Sequence, residues 1–345
     1  MEKIEFLVGD QGRFLKFIST LNEEDRVALI SHSKDIDGIV SAKVVNAVVN
    51  AVLIKFVNYD EVNNHLIETL KKDKINKIII TDLGSDNLEF FKELEKFSEV
   101  LIIDHHTFTE DLNSDRTVFL NAKGYCAAYL CYYLFSRMDD MQNLDWLVAI
   151  ASVSDWLYEK NERWVKNVYE KHGDELVLEN KLVKQEGEMW QLLKKIYNSI
   201  MYFNKGVNKV FDNLGEEFGD IGELGKYSDE IQKEIDLGIE NYQKVKEVFN
   251  GRNIFIFKPK FPVGAVISSI LSVSERNKSL LIIEDKGESY HVHARRQDGE
   301  ENMAILVKRL VDGLEHASGG GHIPAAGAHF LKKDLDIVKK RLKEF

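Results

Sequence analysis

Short apolar runs and amphipathic stretches take turns along the first ~120 residues, the pattern expected for βαβ units and a largely parallel sheet. The runs predict strands at Val27 to Ser31, Val52 to Val57, Lys77 to Asp82, Val100 to Asp104 and Thr117 to Leu120. Between them, apolar positions at three-and-four spacing predict helices over Ile39 to Val49, Val62 to Lys72 and Asn87 to Phe97. From about Ala127 to Asn250 the pattern turns mostly helical, with no strong strand signal. Within it, the acidic, glycine-dotted stretch from Asp212 to Gly225 predicts a loop or hinge, and Ser228-Asp229-Glu230 a helix start. Strands and helices mix again after Gly251: strands at Ile254 to Phe257, Leu280 to Ile283 and Tyr290 to Ala294, helices at Val263 to Val273 and around Asn302 to Leu314. The expected fold is α/β in three parts: a parallel-sheet domain over 1–156, a helical connector over 157–250 and a smaller α/β domain over 251–345, with the active site in the cleft between the two domains.

Composition narrows what such a chain does. Its 345 residues are enough for a large core, and 44% hydrophobic with 30% charged residues is the balance of an ordinary soluble protein. No apolar run approaches the ~20 residues of a membrane helix. The N-terminal Met1-Glu2-Lys3-Ile4-Glu5 carries no leader pattern, and the two cysteines, Cys126 and Cys131, fit neither a zinc ribbon nor a disulfide framework. A reducing cytoplasm is the expected location. The net charge of −11 excludes coating of nucleic acid through bulk charge. A polyanionic substrate must instead be held by a local basic site or by metal ions.

Candidate chemistry gathers where the predicted strands end. His32, Asp35 and Asp37 follow the first strand, with Gly38 permitting a tight entry into the next helix. Asp82 follows Ile78-Ile79-Ile80, Asp104-His105-His106 follows Val100 to Ile103, and Asp155 follows the apolar segment Leu147 to Ala151. The carboxyl ends of strands in an open α/β sheet share a crevice. An aspartate after a strand is ordinarily a helix cap or turn former. Carboxylates and imidazoles from four separate segments together suit a pair of divalent ions. The mixture of Asp and His favours Mn²⁺, with Mg²⁺ or another divalent ion as substitutes.

In the last third, Ser318-Gly319-Gly320-Gly321-His322 predicts a glycine-rich turn whose backbone N–H groups accept an anion, with Pro324 opening a following helix. Arg295 and Arg296 close the strand before it and offer a guanidinium fork for phosphate. His291 and His293 alternate on that strand and share one face.

These clusters and the glycine run resemble the DHH phosphoesterase superfamily, in its DHH-DHHA1 branch, which includes RecJ-type exonucleases, nanoRNases and phosphatases of 3'-phosphoadenosine 5'-phosphate. The resemblance covers the chain to about Trp156 and from about Gly251 onward. It implies that His32, Asp35 and Asp82 hold one Mn²⁺ and that Asp37, Asp82, His105 and Asp155 hold a second, with Asp82 shared. By the same resemblance His106 lies near the scissile phosphate, Asp104 orients a histidine from behind, and Arg295, Gly319, Gly320, Gly321 and His322 grip the substrate's phosphates. The three-residue step from His32 to Asp35 departs from the spacing of the RecJ type, which is shorter, and of the oligoribonuclease and pyrophosphatase types, which is longer.

The implied activity is hydrolysis of single-stranded or short oligonucleotides, or of small nucleotide phosphates, by metal-activated water. A nucleotide phosphatase is the enzymatic alternative, and a replication or repair scaffold with decayed ligands is the non-enzymatic one. The intact ligand set argues for the enzyme. Self-assembly, or a replication or repair partner, is compatible with the pattern.

Overall fold

The computed structural model describes residues 3–84, 87–179 and 182–344, so Met1 and Glu2 of the N-terminal segment lie outside the described residues. The chain divides into two compact units, residues 1–228 and 229–345.

In the first unit five strands, β1 (Val27–His32), β2 (Leu53–Val57), β3 (Lys77–Thr81), β4 (Glu99–Asp104) and β5 (Thr117–Asn121), form a parallel sheet in the order β2-β1-β3-β4-β5. They are near-continuous apolar runs because both faces are covered, as in parallel sheets generally. Val27, Leu29, Ile79, Leu101 and Ile103 point to one core, and Ala28, Ile30, Ile78, Ile80, Val100 and Ile102 to the other. Helices α3 (Asn64–Lys72) and α4 (Leu88–Glu95) contribute Leu66, Ile67, Leu70, Phe90, Phe91 and Leu94 to the second core. Helices α1 (Gln11–Ser19), α2 (Ile36–Val49), α5 (Ala127–Phe135) and α6 (Asp145–Ser154) build the first. Almost every residue of α5 and α6 is buried, which explains why both read as uninterrupted apolar sequence.

The stretch expected as a connector divides between the units. Helices α7 (Glu162–Lys171), α8 (Gly187–Phe203) and α9 (Asn208–Asn213) send Val165, Val168, Ile196 and Val210 into the first core, and the small hairpin β6 (Leu178–Glu179) and β7 (Leu182–Val183) adds Val183. The unit boundary falls inside α10 (Leu224–Val245). That helix starts before Ser228, which is buried, so Ser228-Asp229-Glu230 is helix interior and not a cap.

The second unit carries a six-stranded sheet in the order β12-β13-β11-β10-β9-β8. Its strands are β8 (Glu247–Phe249), β9 (Arg252–Phe257), β10 (Ser279–Asp285), β11 (Ser289–Arg295), β12 (Ser318–Gly321) and β13 (Ala325–Leu331). Only β9 and β10 pair in parallel; the other neighbours are antiparallel. Helices α12 (Met303–Val311) and α13 (Leu335–Glu344) cover the face bearing Tyr290, Val292, Ala294 and Phe330, while α11 (Gly264–Ser274) packs on β10 and β11. The glycine run corrects the expectation of a turn before a helix. Ser318 to Gly321 is an edge strand, and Pro324 sits in the tight turn to β13, where His322 N donates to Ala325 O at 2.8 Å. Pairing with β13 decides this, since three consecutive glycines carry no side-chain period of their own.

Candidate metal centre

A parallel sheet in the order 2-1-3-4-5 reverses direction between β1 and β3, and ligands of such sheets bind outside the strand carboxyl ends at that reversal. His32 is the last residue of β1 and Asp82 the first after β3. Asp35 caps α2, its Oδ1 accepting from Gly38 N at 2.9 Å, while its Oδ2 lies 2.7 Å from His32 Nδ1. A Cβ on Gly38 would stand 2.4 Å from His32 O, so the turn from β1 into α2 closes only around glycine.

Asp82 takes the left-handed backbone conformation, φ 51°, which costs a non-glycine residue and is typical of functional positions. Its Oδ1 meets His105 Nε2 at 3.1 Å, and its Oδ2 lies 3.9 Å from His32 Nδ1. Asp104 closes β4 fully buried and accepts three hydrogen bonds: Leu83 N on Oδ2 at 2.6 Å, and His106 N and Nδ1 on Oδ1 at 2.7 and 2.8 Å. Asp104 therefore fixes His106 and the loop that carries Asp82.

Asp37 lies in the first turn of α2 and accepts from Ala127 N and Ala128 N, both at 2.7 Å, at the start of α5. Its Oδ2 stands 3.7 Å from His105 Nε2, and Asp155 Oδ2, just past α6, stands 3.6 Å from the same nitrogen. Donor atoms converge within 4.8 Å in three groupings: His32, Asp35 and Asp82; Asp37, His105 and Asp155; Asp82, His105 and His106. All six expected ligands, with Asp104 and His106, thus meet in one cluster.

The charges in it do not balance. Burial, then Asp155, pushes the Asp37 carboxyl well above the usual carboxylate range; burial, then Asp37 and Asp35, does the same to Asp82. Asp155 is pushed up to about 7 by burial and then by Asp35. His105 is lowered to about 4, by burial first and by His106 second. Burial opposes charge on His106 too, but its hydrogen bond to Asp104 together with the charges of Asp104, Asp155 and Asp37 outweighs that and raises it. Carboxylates that retain protons, beside an imidazole that resists one, form a site whose deficit is positive charge. His32 Nε2, Asp82 Oδ2 and Asp155 Oδ2 are buried with no hydrogen-bond partner, although such atoms nearly always have one. Oxygen and imidazole donors left open in this way fit a divalent ion of the Mn²⁺ or Mg²⁺ type.

Several contributors escape sequence reasoning. Tyr59 stacks on His32, ring centroids 5.0 Å apart, and its hydroxyl is pushed up to about 12 by burial and then by Asp82. Asn121 Nδ2 donates to His106 O at 2.8 Å. Gly84 lies against the His106 ring, where a Cβ would come within 2.5 Å. Asn121 closes β5 and Tyr59 follows the end of β2 by two residues, so the strand-end rule applied to those strands would have found them.

The expected phosphate-binding residues belong to the second unit. Arg295 ends β11, with His291 and His293 on its side of the strand, and Arg296 next to it pairs with Asp298 at 2.6 Å. The three glycines differ. A Cβ on Gly319 would meet Val307 O at 3.1 Å, and Gly321 has φ 138° with Ala325 O 2.6 Å from its notional Cβ, while Gly320 faces open space. Gly321 is required by its backbone and its packing, a side chain at Gly319 would crowd Val307, and Gly320 leaves backbone exposed.

Residues 26–158 match the model of the DHH family N-terminal domain. No curated protein sequence matches the chain. Among solved structures, RecJ from Thermus thermophilus in complex with Mn²⁺ superposes with a TM-score of 0.66 at 16% identity, over 99% of this chain and 55% of that one. Its Mg²⁺ complex gives 0.62 at 15% identity, over 97% and 51%. A further exonuclease RecJ bound to manganese gives 0.67 at 15% identity, over 99% and 94%. The chain spans about half the length of the Thermus thermophilus enzyme, and the likeness at these identities is one of fold. Residues 26–158 are thus similar to the N-terminal domain of the DHH family, and the fold of the chain is one that it shares with RecJ.

Proposed function

We propose that this protein is a divalent-metal-dependent phosphodiesterase that releases nucleotides from single-stranded or short oligonucleotides, with Mn²⁺ as the preferred ion. The observation that carries the reading is the convergence of Asp35, Asp37, Asp82, Asp155, His32 and His105 from separate elements, with buried acceptors left open. His32, Asp35 and Asp82 would hold one ion, and Asp37, Asp82, His105 and Asp155 the other. The RecJ structures that share the fold were solved with Mn²⁺ or Mg²⁺. When bound, a pair of such ions clamps a phosphoryl group and lowers the pKa of a water towards neutrality.

The remaining roles belong to the chain's own groups. Asp104 accepts from His106 Nδ1 and favours the charged form of the ring, in which Nε2–H would be presented to a phosphate oxygen. Asp37 keeps its carboxylate in place through the N–H groups at the start of α5. In the second unit, Arg295, His322 and the backbone of Gly320 are proposed to bind phosphate, with Gly319 and Gly321 shaping the strand that presents it. The two cysteines are buried free thiols, which supports a reducing, cytoplasmic setting.

Gly84→Ala tests the positioning of His106. The added methyl displaces a ring anchored on Asp104 without replacing any proposed ligand, so ion binding is retained while the hydrolysis rate falls on the order of a hundredfold. Substrate class is tested with end-labelled RNA and DNA, from dinucleotides to strands of roughly twenty nucleotides, alongside 3'-phosphoadenosine 5'-phosphate. Mononucleotides released from one end support the proposal. Cleavage of the adenosine bisphosphate alone would replace it with a phosphatase, and no product from any substrate would sink both.

A further inference from the structure

A second recess in the first unit, about 310 Å³ in volume, uses none of the proposed metal ligands. One wall is aromatic. Tyr125 stacks on Tyr129 with ring centroids 5.7 Å apart and planes 15° from parallel, and Trp164 meets Tyr129 edge-on at 4.9 Å. Lys160 stands 5.3 Å from the centroid of Tyr125 and donates to Lys123 O at 2.7 Å, while exposed Arg163 also lines the recess. Among the described residues no carboxylate forms an ion pair with Lys160 or Arg163. Two uncompensated cations on one recess run against the net charge of −11 carried by the chain as a whole.

The floor supplies an independent observation. Asn161 is buried, at 5% exposure, and lines the recess, yet its Oδ1 has no hydrogen-bond partner and its Nδ2 reaches only Ser152 Oγ, at 3.5 Å. A buried amide oxygen without a donor carries an uncompensated desolvation cost unless something arrives to supply one. An aromatic wall, a cationic rim and a buried acceptor together match a planar ring that carries an amino group and an anionic tail.

We propose that this recess is a nucleotide-binding site, distinct from the metal centre. The base stacks against Tyr125 and Trp164, its exocyclic amine donates to Asn161 Oδ1, and its phosphate meets Lys160 and Arg163. The residues that shape the recess share elements with the metal centre. Tyr125 directly precedes Cys126, the cap of α5, whose first N–H groups bind Asp37, and Asn161 contacts Ser152 on the helix that ends before Asp155. The choice of a nucleotide among aromatic anions rests on the phosphodiesterase reading; the chemistry of the recess does not.

The test is calorimetric titration of the full chain with AMP, GMP, CMP and UMP in excess chelator, so that no outcome depends on hydrolysis. Binding is expected, weakest for UMP, which has no exocyclic amine. Arg163→Glu, at an exposed position, is expected to weaken it about tenfold, and Trp164→Leu by a similar factor. Asp82→Asn leaves it within about twofold. The proposal is overturned if no mononucleotide binds, or if binding survives Arg163→Glu unchanged but is lost in Asp82→Asn, which would place the nucleotide at the metal centre. Because Arg163 is exposed, that variant reports on binding even if Trp164→Leu fails to fold.

Discussion

Asp82→Asn is expected to lower phosphodiester hydrolysis on the order of a thousandfold, the several kcal/mol that a shared metal ligand contributes, while making the ion-free protein more stable. Both effects follow from where Asp82 sits. Its carboxylate links the His32–Asp35 side of the cluster to His105, and its Oδ2 is one of the buried acceptors left open. Without ions that carboxylate is pressed by Asp37, Asp35, Asp104 and Asp155. An amide keeps the shape and removes the repulsion. Asparagine also tolerates the left-handed backbone at this position, so no new strain offsets the gain. Initial rates and melting temperatures of both proteins, the latter in chelator, check the pair of effects. Lost activity with lowered stability would mean that Asp82 is structural.

Divalent ions are expected to raise the melting temperature of the wild-type chain, and the gain should grow with pH. An ion at about a hundred times its Kd adds roughly 2.7 kcal/mol, which for units of this size is on the order of 5–10 °C. The pH dependence comes from Asp155. Its carboxyl is raised from 3.8 to about 7 in the folded, ion-free chain, so between those values the native state holds a proton that the unfolded state has released. Stability of the ion-free protein therefore falls as pH rises through that window. Ligands must be deprotonated to bind metal, so the ion-induced gain is smallest at the acid end and complete above about 7. Asp104, lowered by its hydrogen bond to His106 against the effect of burial, runs the other way: its contribution is present above the ordinary carboxylate range and lost as pH falls below it. Melting curves with Mn²⁺ or with chelator, across the acid-to-neutral range, separate the two. A gain that is flat with pH would remove Asp155 from the ion site.

Most of the first unit was legible because burial on both faces leaves a continuous apolar signature. Strands β1 to β5 all begin and end within a residue of the expected bounds, and acidic and histidine clusters sit at the ends of β1, β3 and β4, with Asp155 after α6. What was not legible depends on partners distant in sequence. The apolar stripes of α7 and α8 could be read, but not that they pack on the first core. The glycines before His322 carried no period, and only β13 makes them a strand. Tyr125 and Trp164 sit far apart in the chain and meet through Tyr129. His32 had the least familiar spacing, and the structure places its Nδ1 on Asp35 and leaves its Nε2 open.

The most direct measurement is release of mononucleotide from an end-labelled dinucleotide by wild-type and Asp82→Asn protein, each stripped of ions and then assayed with and without added Mn²⁺. Two-ion phosphodiester chemistry at this cluster predicts product only from the wild type and only with the ion restored. Product that forms equally in chelator, or equally with Asp82→Asn, would contradict it.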